Sequence, residues 1–134
     1  MNKKTIARNV EAFQRTNTEA GYSVCVSGTY TVSKMPFMPS FSMAEAMKQL
    51  NEALKVLQRL PRRWSYMVTA SSIGGPRIYI TVKPEKFKSW LEKHSLNYTD
   101  EVQWVTWESK PGGFWSHRIM VKVNSVELVL CYNE

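Results

Sequence analysis

A chain of 134 residues, 43% of them hydrophobic, is long enough to bury one sizeable core, and 18 Lys/Arg against 11 Asp/Glu give it a formal charge of +7. No apolar run approaches the roughly 20 residues that a membrane-spanning helix needs, and Arg8, Asn9 and Glu11 interrupt the stretch where a signal peptide would place its apolar segment. Two cysteines, Cys25 and Cys131, are too few for a disulfide framework. The expectation is therefore a soluble cytoplasmic protein with one domain, residues 1–134.

The first predicted element is a helix over residues 4–16, where Ile6, Val10 and Phe13 recur at helical spacing. Gly21 closes it. Tyr22, Val24 and Val26 then alternate with Ser23, Cys25 and Ser27 as a strand that Gly28 kinks and that Tyr30 and Val32 continue. Cys25 and Cys131 both fall in strand-like runs, where they behave as small hydrophobes or pair across adjacent strands. The apolar segment Met35 to Phe41 contains Pro36 and Pro39, which forbid a helix or a central strand. A loop of that character covers the core or meets a partner.

Met43 to Leu60 is the clearest helix. Ser42 and Glu45 form a capping box, Met43, Met47, Leu50, Leu54 and Leu57 make the apolar stripe, and Pro61 stops it. Trp64 to Ala70 and Ile78 to Val82 alternate as the two strands of a hairpin turned at Gly74-Gly75-Pro76. Pro84 suits the first turn of a short helix that carries Phe87, Trp90, Leu91 and His94 on one face. Three strands complete the chain: residues 102–108, 115–123 and 126–132, the last two joined at Asn124-Ser125.

This order predicts an α+β fold with helices packed on a mostly antiparallel sheet of about five or six strands. Without the first helix and the last two strands it reads βαββαβ, the ferredoxin-like order, with an extra N-terminal helix and extra C-terminal strands. RNA-recognition domains share that order, but Arg77-Ile78-Tyr79-Ile80-Thr81-Val82 lacks their glycine and aromatic signature.

Chemistry for catalysis is sparse. Asp100 is the one aspartate, and His94 and His117 have no ligand-spaced cysteine or carboxylate, so no metal and no cofactor are expected. A divergent metal-dependent nuclease would rest on Glu108 and Lys110, with Asp100 or Glu101 as the second carboxylate. Ser71 to Arg77 holds glycines but leads into a strand rather than a helix, so it is a turn and not a phosphate cradle.

Two basic clusters fit binding better. Arg59, Arg62 and Arg63 follow the long helix and precede Trp64, more cations than a helix C-terminus needs. Trp107, Lys110, Trp115, His117 and Arg118 surround Gly112-Gly113 and can present flat rings beside cations, one means of holding nucleic acid. The leading expectation is a non-enzymatic protein that binds nucleic acid or a nucleoprotein complex through these residues. In its small size, lack of motifs and aromatic content the chain also resembles phage or mobile-element accessory proteins, including inhibitors of host defence such as anti-CRISPR proteins. That resemblance implies binding to, and inhibition of, a host protein complex.

Overall fold

A computed structural model describes residues 3–16, 23–26, 31–33, 41–102 and 117–133. Within them lie α1 (Lys3–Thr16), β1 (Ser23–Val26), β2 (Thr31–Ser33), α2 (Met43–Leu57), β3 (Ser65–Ser71), β4 (Arg77–Thr81), α3 (Pro84–Lys93), β5 (Thr99–Val102), β6 (His117–Val123) and β7 (Val126–Tyr132). The fold is α+β. The strands form one mixed sheet in the order β2-β1-β3-β4-β7-β6-β5, in which β3, β4, β7, β6 and β5 make a five-strand body extended by β1 and β2 at one edge. Among the described strands, β4 and β7 are the only hydrogen-bonded neighbours that run parallel.

Alternation along the strands decides which face is buried. Val26, Val68, Ile78, Leu128 and Val121 stand opposite one another in successive strands, as do Tyr66 and Ile80, and Ile119 and Leu130. All nine are buried. Ile6, Val10 and Phe13 of α1, Ala46, Leu50, Ala53 and Leu57 of α2, and Phe87 and Leu91 of α3 join the same cluster. The helices therefore cover this face. Burying a side chain of this size contributes about 1.5–3 kcal/mol.

Caps fix the helix positions. Ser42 accepts a hydrogen bond from the Glu45 N–H at 3.1 Å, the first half of the expected capping box, while the Glu45 carboxylate faces Gln49 instead. Gln49 is buried and exchanges two 2.9 Å hydrogen bonds with the backbone of Ser71, which fastens α2 to the end of β3. Ser125 donates to Glu52 at 2.7 Å and ties the β6–β7 turn to the same helix.

The sheet order departs from the ferredoxin-like expectation. α2 connects β2 to β3, which are parallel with β1 between them; α3 connects β4 to β5, parallel with β7 and β6 between them. Each is a split βαβ unit. In the ferredoxin arrangement two such units fill each other's gaps, whereas here the inserted strands come from outside them. The expected single strand through Gly28 is instead β1 and β2 paired antiparallel, so the chain reverses between them. Cys25 on β1 and Cys131 on β7 are separated by β3 and β4. Three strand spacings amount to about 14 Å, twice what a disulfide spans, and Cys131 is a free thiol. Among the described residues no helix is long and apolar enough to cross a membrane.

Candidate functional site

The turn between α2 and β3 carries the arginine cluster, and its backbone is pinned from two sides. Lys3, at the start of α1, donates its Nζ to the carbonyls of Gln58 and Leu60 at 2.9 and 3.0 Å. This supplies a cation and donors to the negative end of α2. The Tyr66 hydroxyl donates to the Pro61 carbonyl, and burial of this phenol raises its pKa. Arg59, Arg62 and Arg63 are all exposed on this fixed turn. Burial of Lys3, and then repulsion from Arg62, lowers the Lys3 pKa. Positive charge is thus concentrated at this turn.

Trp64 follows directly and leans on α3. Its ring meets Phe87 edge-on at 5.9 Å and Trp90 edge-on at 6.0 Å, and Trp90 stacks on His94 at 4.3 Å. Phe87 is buried, Trp64 and Trp90 are half-buried and His94 is exposed, so the rings run from core to solvent. Beside them lies an open groove of about 370 Å³ lined by Trp64, Glu85, Lys86, Ser89, Trp90 and Lys93. Helical spacing explains the lining: residues 86, 90 and 93 share a flank of α3, while Phe87 and Leu91 point to the core. Among the described residues, Arg62, Arg63, Lys86 and Lys93 make no ion pair.

The other flank of α3 is closed. Lys88 Nζ lies 3.0 Å from Asp100 and 5.7 Å from the Tyr132 ring centroid. Tyr132 donates its hydroxyl to the same carboxylate at 3.2 Å, and His117, stacked on Tyr132 at 4.9 Å, holds Nδ1 4.0 Å from it. The Asp100 hydrogen bond raises the Lys88 pKa; burial, and then Asp100, raises that of Tyr132. Asp100 is thus the hub of a clasp joining α3 to β5, β6 and β7. Its carboxylate faces a lysine and a phenol, and Glu108 and Lys110, on which the nuclease alternative rests, lie outside the described residues. Among the described residues no cluster of His, Cys, Asp and Glu is set to hold a metal ion.

Of the predicted site residues, the structure describes Arg59, Arg62, Arg63, His117 and Arg118. Arg59, Arg62 and Arg63 come together beside Trp64. His117 and Arg118 are neighbours on β6 and so face opposite sides of the sheet: His117 joins the clasp, while Arg118 pairs in register with Cys131, whose pKa is raised by burial and lowered in lesser part by Arg118. Trp107, Glu108, Lys110 and Trp115 lie outside the described residues, as does the loop 35–41 apart from buried Phe41. Sequence reasoning missed Lys86, Trp90, Lys93 and His94 as a set. Their spacing on one helix was legible; the packing of that helix against Trp64 was not. No family model, curated protein or solved structure matches the chain.

Proposed function

We propose that the protein binds nucleic acid without catalysis, through the groove between Trp64 and α3 and the arginine turn beside it. The observation that carries this reading is the juxtaposition of half-exposed Trp64 and Trp90 with Lys86 and Lys93 in one groove, next in the chain to Arg62 and Arg63. Phosphates need cations that are not already neutralised, and bases need flat rings with accessible surface. The groove supplies both, on a backbone pinned by Lys3 and Tyr66.

Fluorescence anisotropy of a labelled oligonucleotide across a salt series tests it. Binding should weaken linearly on a log–log plot. Replacing Arg59, Arg62 and Arg63 together by Glu should lower that slope by about two and reduce affinity about a hundredfold at low salt. The triple variant should still melt cooperatively, because all three side chains are exposed. Unchanged affinity in a folded triple variant sinks the reading.

A second reading, a phage-type accessory protein that binds and inhibits a host protein complex, draws on the opposite sheet face. There Met67, Tyr79 and Met120, all half-buried, stand in register around buried Val129 across β3, β4, β7 and β6, on the face opposite the helix-packed core. Interface cores favour such Met and Tyr side chains. A protein complex recovered from host lysate after nuclease treatment, and lost on Tyr79→Glu, supports this reading over the first.

A further inference from the structure

Resting on the nucleic-acid reading, the outermost ring of the aromatic ladder beside the groove says which form of nucleic acid fits. Trp90 offers one face to the His94 imidazole, with centroids 4.3 Å apart and planes 29° from parallel. That imidazole is held in place. Its Nδ1 is 2.9 Å from the Trp90 carbonyl oxygen, and a carbonyl only accepts, so Nδ1 carries the proton. In the neutral ring Nε2 is then an acceptor.

The backbone beyond His94 is equally fixed. Ser95 takes the left-handed conformation at φ 55°, and the Leu96 N–H returns to the Leu91 carbonyl at 2.9 Å, closing the helix end. His94 itself is exposed, and the one ring stacked on it among the described residues is Trp90. The first two contacts of the ladder, Phe87–Trp64 and Trp64–Trp90, are edge-on; the last, Trp90–His94, is stacked and ends in solvent.

We infer that His94 is the platform on which an unpaired base stacks, so that the groove selects single-stranded over duplex nucleic acid and His94 determines that preference. A base inside a duplex has both faces covered by its neighbours, whereas an unpaired base has a face to offer. Lys86 and Lys93 line the groove with Trp64 and Trp90, and exposed Arg62 and Arg63 directly precede Trp64 in the chain, so cations are supplied for the phosphates of a strand stacked there.

The test compares three probes of about 12 nucleotides per strand, within the range of known single-strand sites: a single strand, an abasic strand with the same phosphates, and a duplex closed at both ends by non-nucleotide linkers. Each is titrated against the full chain, His94→Ala and His94→Phe. The unmodified protein should bind the base-bearing strand about tenfold tighter than the abasic strand and the duplex. His94→Ala should shrink that preference to about twofold without changing abasic affinity, and His94→Phe, which keeps a flat ring, should restore it.

Equal affinity of the unmodified protein for base-bearing and abasic strands overturns stacking while leaving phosphate binding intact. A base preference that survives in His94→Ala overturns the role of His94. Failure to bind any of the three probes removes the nucleic-acid reading itself, and this inference with it.

Discussion

Lys88, Tyr132 and His117 on one flank of α3, and Lys86, Lys93, Trp64 and Trp90 on the other, are both sets of cations and flat rings. Their difference lies in what the chain supplies to each. Asp100 gives the first set its anion, taking Lys88 and the Tyr132 hydroxyl at 3.0 and 3.2 Å. In the groove Glu85 lines the same space, yet neither lysine pairs with it. Rings beside cations are therefore ambiguous as a binding signal until the internal anion is counted. A ligand phosphate at the clasp must displace a carboxylate; at the groove it meets unpaired charge.

Truncating one ring on each flank should produce the largest contrast. Trp64→Ala should cost about 2–3 kcal/mol of stability, below the 3–5 kcal/mol of a fully buried aromatic because Trp64 is half-buried. It should also weaken oligonucleotide binding about tenfold, since the ring supports Trp90 in the groove. Tyr132→Ala should cost about 1–2 kcal/mol through lost packing on His117 and leave affinity within about twofold. Chemical denaturation and anisotropy on both variants measure this. Equal loss of affinity in the two would show that the clasp belongs to the binding surface, and the contrast between flanks would collapse.

How much of this was legible in the sequence follows the range of each interaction. α2 could be read because Ser42, the apolar stripe and Pro61 are local signals. The alternations of Tyr66, Val68 and Ala70 and of Ile78 and Ile80 gave the β3–β4 hairpin in the same way. The reversal between β1 and β2 left no trace in the pattern, because alternation with period two reads the same whether the chain continues or turns back. Strand order is set by pairing between distant segments, such as β4 with β7, which local periodicity does not encode.

The arginine cluster is visible in the sequence as a run, and all three of its side chains are exposed. The partners of Asp100, Lys88 on α3 and Tyr132 on β7, are distant from it in the chain and leave no local signal, while Glu108 lies outside the described residues. Trp90 and His94 were recognised as one helix face. That the face passes from core at Phe87 to solvent at His94 depends on where α3 ends its contact with Trp64.

Removing the clasp's anion sharpens the comparison with a smaller effect. Asp100→Asn should cost about 1 kcal/mol or less at neutral pH, because Asp100 and Lys88 are each about one-third exposed. The pH dependence carries more information. Lys88 and Tyr132 both have pKa values raised in the folded state, so their contribution is complete below the ordinary values of 10.5 and 10.0 and is lost as pH rises through the folded values. The native protein should thus lose stability above about pH 10. In Asp100→Asn that alkaline loss should be shallower, since the leading cause of the Lys88 shift is gone, while burial still raises Tyr132. Denaturant midpoints between neutral and strongly alkaline pH measure the two slopes. Oligonucleotide affinity should not change; if it falls, Asp100 shapes the groove across α3 and the flanks are coupled.

The smallest effect is expected where α3 ends, immediately beyond His94. Ser95 holds φ 55°, a conformation that costs a residue with a Cβ about 1–2 kcal/mol and glycine almost nothing. Ser95→Gly therefore removes strain from the folded state and adds about 0.4–1 kcal/mol of chain entropy to the unfolded one. The net gain should be about 0.5 kcal/mol, read as a small rise in the denaturation midpoint. Both backbone hydrogen bonds of the cap, Ser95 N–H to Glu92 and Leu96 N–H to Leu91, are available to glycine, so His94 should keep its place and the preference for base-bearing strands should persist. A gain in stability accompanied by loss of that preference would show that the outer ring is placed by the stiffness of the cap rather than by its own bond to the Trp90 carbonyl. The open flank would then owe its order to the turn that follows it.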